Sequence, residues 1–308
     1  MKRLVIALAA STMAATFAIA DELDIGVSMA YFDDAFLTKL RETMEQQAQE
    51  KKVNLQFENA QGDIGKQLSQ VQNFIDQKVD AIVVTPVDSS ATGRMTKLIR
   101  NSKIPAVYMN RQPLEPLKPE DPIVYVGSDE SVSGKLEGEE IARQLNGKGN
   151  IVIMMGELAT EAAAMRTKGI EDVVAQHPEM KIVKKHTANW RRNEATDLMN
   201  NWLAEGLKID AVAANNDEMA IGAIIALKEA KKPMDKIVIG GIDATPDALR
   251  EMKEGSLDVT VFQDAVGQGK AVIDSAIKLI NKEKFESPYV FIPFQLVTMK
   301  NIAEFEKN

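Results

Sequence analysis

The chain has 308 residues, with 37 basic and 45 acidic side chains, a net charge of −8, and no cysteine. An acidic balance excludes a nucleic-acid ligand, which demands a basic surface. The lack of cysteine excludes a disulfide framework, a thiol nucleophile and a lipid-modified N-terminal cysteine, so stability has to come from an apolar core.

The first 20 residues, MKRLVIALAASTMAATFAIA, place Lys2 and Arg3 before an uncharged apolar stretch that ends in Ala18-Ile19-Ala20. This is the pattern of a secretory signal peptide cleaved after Ala20. A membrane anchor would be less diluted by Ala, Ser and Thr. Cleavage removes Lys2 and Arg3, so about 288 residues remain with 35 basic and 45 acidic side chains, net −10. The expected product is an exported, soluble, monomeric protein of a bacterial periplasm.

From Asp21 onward, strand-like runs alternate with amphipathic helical runs. DIGVSMA, NLQFENA, AIVVTP, IPAVYMN and IVYVGS form a first set. NIVIMMG, KIVKKHTAN, IDAVAANN, KIVIGGI and DVTVFQ form a second. Between them lie helical patterns such as LTKLRETMEQQAQEKK, GKQLSQVQNFIDQKV and AIGAIIALKEAKK. Strands apolar nearly throughout and separated by helices read as parallel βαβ units covered on both faces. This many units predicts an α/β protein of two doubly wound parallel-sheet domains, divided near Gly127-Ser128-Asp129.

Open α/β sheets bind ligands beyond the carboxyl ends of their strands, so the residues that follow each strand matter most. They are YFDDAF (Tyr31 to Phe36) after the first, Asn110-Arg111 after the fourth, and Arg166 shortly past GELATEAAAM. The second half adds Trp190, Asn215 to Asp217, Asp243 and Gln263-Asp264. A sugar or polyol has hydroxyl edges and apolar C–H faces. Carboxylates and amides satisfy the edges, and flat rings cover the faces.

Each of these residues also has an ordinary structural explanation. Asp217, Asp247, Asp88 and one of Asp33 and Asp34 suit helix caps or turns. Phe36 suits a core position, as does Trp202 at helical spacing in DLMNNWLAEG. Only the recurrence at several strand ends favours binding. Catalysis has less support: there is no Gly-x-Ser-x-Gly, and His177 and His186 are unpaired in the sequence. The GKG at 147 to 149 reads as a turn rather than a phosphate cradle. No catalytic residue, cofactor or metal site is expected.

The stretches YFDDAF, YMNRQP, YVGSDESVSG, TANW, AANNDEMAIGA, GGIDATPDAL and VFQDA occur in this order along the chain. Together they resemble periplasmic sugar-binding proteins of ABC importers, specifically the ribose-, galactose- and inositol/rhizopine-binding members of the type I fold. The resemblance implies Asp34, Phe36, Asn110 and Arg111 as ligand residues from the first domain, and the YFDDAF loop adds Phe32 and Asp33 to the expected set. From the second it implies Arg166, Trp190, Asn216, Asp243 and Gln263. It also implies a third chain crossing, so that the first domain is 21–128 plus about 264–286 and the second 129–263 plus about 287–308. Thr160 and Ala162 stand where glucose/galactose binders carry His and Asp, and NGKGN fills the place of their calcium loop. The resemblance therefore points to ribose or a cyclic polyol, and the spelling YFDDAFLT to inositol or rhizopine. The implied partners are a sugar or polyol, an inner-membrane ABC permease, and a chemoreceptor or sensor kinase as an alternative receiver. The rival of a different class is an exported glycoside-modifying enzyme.

Overall fold

The computed structural model describes residues 22–306; the expected signal peptide lies outside them. The first lobe is built from β1 (Leu23–Met29), α1 (Ala35–Lys51), β2 (Val53–Asn59), α2 (Ile64–Gln77), β3 (Ala81–Val84), α3 (Thr92–Ser102), β4 (Ala106–Met109) and β5 (Ile123–Gly127). The second contains α4 (Glu130–Gln144), β6 (Lys148–Met155), α5 (Glu161–Val174), β7 (Glu179–Thr187), α6 (Arg192–Ala204), β8 (Ala211–Ala214), α7 (Asp217–Glu229), β9 (Val238–Gly240), α8 (Pro246–Lys253) and β10 (Thr260–Phe262). The chain ends with α9 (Ala265–Ile280), β11 (Tyr289–Phe291) and β12 (Gln295–Val297). All ten strand runs read from the sequence form strands.

The first sheet has the order β11-β5-β4-β3-β1-β2, and the second β7-β6-β8-β9; every pairing within them is parallel. Successive side chains on a strand point to opposite faces, which explains why the strands lack polar alternation. Val83, Val107 and Val124 join the core shared with α1 and α9, while their neighbours Ile82, Tyr108 and Tyr125 join the core under α2 and α3. Both faces are covered, so both sets must be apolar. The second sheet is likewise sandwiched, with one core against α6 and α7 and another against α4 and α5.

Three connections join the lobes: β5 to α4, β10 to α9, and β11 to β12. Helix α9 returns to the first lobe and packs on α1 and on β3, β4 and β5. The returning segment does not end near 286. It runs on to Phe291, because β11 adds to the edge of β5 with Tyr289 opposite Tyr125. The rings of Tyr289 and Phe291 pack edge-on against Tyr125 at 6.4 and 6.1 Å. A three-residue strand is too short to leave a periodic signal. β12 then pairs antiparallel with β10 in the second lobe. Among the described residues no helix is long and apolar enough to cross a membrane.

Candidate functional site

Four helices start at one cavity between the lobes. Asp34, Thr160 and Asn216 are the N-caps of α1, α5 and α7, Glu130 is the first residue of α4, and all four line the same space. Helix N-termini carry partial positive charge and unpaired N–H groups, so this convergence favours oxygen-rich ligands. About 410 Å³ free of protein atoms lies between these elements, part of it open to solvent. Its remaining lining is Phe36, Leu37, Asn110, Arg111, Ala162, Arg166, Trp190, Asp243 and Gln263.

Arg166 organises the second-lobe wall. Only 4% exposed, it donates from Nε and Nη2 to the two oxygens of Glu130 at 2.7 and 2.8 Å. Its other bonds go to the carbonyl of Asn215 at 2.8 Å and to Oε1 of Gln263 at 3.2 Å. Burial opposes its charge, but Glu130 and Asp243 more than offset that, and the guanidinium is held above its ordinary pKa. Asp243 is 3.9 Å from Arg166 and 7% exposed, and among the described residues no hydrogen-bond donor reaches its carboxylate. Burial raises its pKa well above the usual carboxylate range, and Asp217 and Asp34 push the same way. Its φ of 127° and the 54° of Ala244 lie in the left-handed half of backbone space. Such strain costs on the order of 1–3 kcal/mol per residue and clusters at functional sites.

Trp190 follows β7 at φ 66°. Its ring lies over Arg166, with the guanidinium carbon 5.5 Å from a ring centre. A Cβ on Gly156 would sit 2.0 Å from this ring, so only glycine admits it. Trp190 Nε1 and Gln263 Nε2 are buried donors without a partner among the described residues, which is unusual enough to ask for an acceptor.

On the first-lobe wall Asp34 is both cap and lining. Oδ1 accepts from Leu37 N–H at 2.8 Å, and Oδ2 takes no bond from any described residue. Burial raises its pKa, opposed by the Leu37 bond and by Arg111. Asn110, at φ 62°, ends β4. Arg111 is tied to its own lobe through the carbonyls of Pro86 and Val87, each at 3.3 Å, and crosses the cleft to Glu157 at 3.0 Å. Further bonds hold the lobes together: Ser89 N–H to the carbonyl of Ala159 at 2.9 Å, and Glu161 N–H to Ser89 Oγ at 3.3 Å.

Two expected members lie elsewhere. Phe32 faces away, with Arg41 4.5 Å above its ring and its flank against the first-lobe core. Asp33 is exposed in a groove at the mouth beside Tyr31, Glu157 and Arg191. Neither lines the cavity that Asp34 and Phe36 line. Asp217 is not the cap of α7, a role its neighbour Asn216 fills by accepting from Met219 N–H at 3.0 Å. Asp247 is ion-paired to Arg192 and Arg250, and Trp202 is core. Sequence reasoning missed Glu130 and Leu37. An acid just after β5 was visible, but an acid there serves any helix dipole. Among the described residues no cluster could hold a metal ion.

A family model described as a periplasmic binding protein domain matches residues 25–284. The chain belongs to this family. It is 52% identical, over 99% of both chains, to a protein of Rhizobium meliloti whose name assigns it rhizopine binding. A xylitol-binding protein of Mycolicibacterium smegmatis is 37% identical over 85% of this chain and 74% of its own. A solved ABC transporter solute-binding protein from Bacillus halodurans, with bound myo-inositol, superposes with a TM-score of 0.87 at 43% identity. That match covers 93% of this chain and 98% of the other. This periplasmic binding protein is thus a carrier of a sugar or polyol for an ABC importer, not an enzyme. Its two lobes, each an α/β layer around a parallel sheet, are those of the type I architecture.

Proposed function

We propose that the protein is exported, with its leader cleaved after Ala20, and captures an inositol or amino-inositol such as a rhizopine in the closed cleft. A membrane permease then receives the ligand, and the same closed form can signal to a chemoreceptor or sensor kinase. One observation carries the ligand class. Two carboxylates without donors of their own, Asp34 through Oδ2 and Asp243 through both oxygens, face one cavity from opposite lobes. A cyclohexane polyol offers hydroxyls around its whole rim, so it can donate to both at once. Ala162, 8% exposed in the wall, provides no polar group, and Phe36 and Trp190 offer ring surface for the C–H faces. Contacts to both lobes are what make a ligand favour closure. The identities to a rhizopine-named relative and a myo-inositol complex support the same class.

A thermal-shift panel of inositols, amino-inositols, xylitol, ribose, glucose and galactose tests this reading. A ligand at about a hundred times its Kd adds about 2.7 kcal/mol of stability. Inositols and amino-inositols should give the largest shifts. A panel in which ribose or a hexose shifts the melt while every inositol is silent refutes the assignment.

A further inference from the structure

Asp217 does not line the cavity, yet it is completely buried. As the first residue of α7 its charge could favour the helix dipole equally well from the surface. Instead both carboxylate oxygens are engaged inside the lobe. Oδ1 accepts the Thr260 hydroxyl at 2.7 Å, and Oδ2 accepts Thr245 N–H at 2.7 Å. The Thr260 oxygen in turn accepts Ala244 N–H at 3.2 Å. The backbone N–H of Asp217 donates to the carbonyl of Ile242 at 2.8 Å. These contacts grip the loop on both sides of Asp243, the residue whose backbone is strained. Gly241 completes the arrangement, since a Cβ there would stand 2.5 Å from Asp217 Oδ1.

We propose that Asp217, relayed through Thr260, is a positioning residue for Asp243. The buried carboxylate is the template around which residues 242 to 245 bend, and the bend aims the Asp243 carboxylate into the cavity. The physical reason is that neither Asp243 nor Ala244 would hold a positive φ alone. The loop keeps that shape because leaving it would strand a buried carboxylate without its donors. The role is separate from helix capping, which Asn216 performs.

This inference rests on the reading of Asp243 as a ligand group, and its test separates the two. Affinity for myo-inositol is measured by calorimetry for Thr260→Val, Thr260→Ser, Asp243→Asn and the Thr260→Val/Asp243→Asn double variant. Thr260→Val keeps shape but breaks the relay. It should weaken binding roughly tenfold, as expected for one lost bond to a charged group. Thr260→Ser should restore affinity to within about threefold, since it keeps that bond. In the Asp243→Asn background Thr260→Val should add no more than about twofold, because both changes act through one carboxylate. Equal factors in the two backgrounds would mean a merely structural role and overturn the proposal. An Asp243→Asn variant of wild-type affinity would instead remove Asp243 from the site. Independently of any ligand, the crystal structure of Thr260→Val should show Asp243 relaxed to negative φ; an unchanged positive φ also overturns the proposal.

Discussion

On the second-lobe side of the cleft, Glu130, Arg166, Asn216, Asp243 and Gln263 are each no more than 7% exposed. Arg166 ties Glu130, Gln263 and the carbonyl of Asn215 into one network. On the first-lobe side, Asp34, Phe36 and Asn110 are only half-buried. Leu37 and Arg111 are buried, and Arg111 completes its environment by reaching across to Glu157. One wall is assembled within its own lobe; the other is finished only when the lobes meet. A rigid wall facing a wall completed on closure is what a carrier needs, since recognition must drive closure and release must reverse it.

The largest test of that contrast is stability. Arg166→Met should strand the Glu130 carboxylate in the interior and cost about 3–5 kcal/mol in urea melts of the ligand-free protein. Arg111→Met should cost about 1 kcal/mol or less, because opening of the cleft returns Glu157 to water. Similar losses for both would erase the difference between the walls.

The two unpaired acids should differ in the opposite sense. Asp34→Ala and Asp243→Asn should each weaken ligand binding by roughly 1–3 kcal/mol in calorimetry. Ligand-free stability should fall by about 0.5–2 kcal/mol for Asp34→Ala, which loses the cap of α1. Asp243→Asn should melt no lower than wild type, since it removes a buried carboxylate with no donor. A marked loss of stability in Asp243→Asn would contradict the picture of a strained, functional acid.

The pH dependence follows from the same burial. Burial lifts Asp217 from 3.8 in the unfolded chain to about 7, and raises Asp243 as well. Between pH 4 and 7 the folded protein therefore holds protons the unfolded chain has released, so these groups favour folding less as pH rises. Denaturant melts across that window should fall less steeply with pH for Asp243→Asn than for wild type. An equally steep fall in the variant would mean that Asp243 is ionised throughout.

The smallest expected effect is spectroscopic. Trp190 lines the cavity while Trp202 is 3% exposed in the second-lobe core. Ligand should change the fluorescence of wild type and of Trp202→Phe, and leave Trp190→Phe nearly silent. The reverse assignment would move the rigid wall away from Trp190.

Local pattern made much of this legible. Residues apolar on both faces announce buried parallel strands, and polar residues at their carboxyl ends announce the cleft; thus Asp34, Phe36, Arg166 and Asp243 could be named from sequence. What misled was treating cap and cavity lining as alternatives. Asp34 and Asn216 are both, because a helix that starts at the cleft needs its cap there and a side-chain oxygen has more than one lone pair.

Sequence alone thus determined the two-sheet class and the strand ends that meet, because periodicity and end residues are local properties of the chain. Tertiary structure alone decided which loop residues turn inward, sending Phe32 and Asp33 out while Asp34 and Phe36 line the cavity. It also decided that β11 joins the first sheet, that Glu130 neutralises Arg166, and that Asp217 holds the bend at Asp243. These depend on partners 36 residues apart in one case, 164 in another, and no window along the chain contains both ends of such a contact.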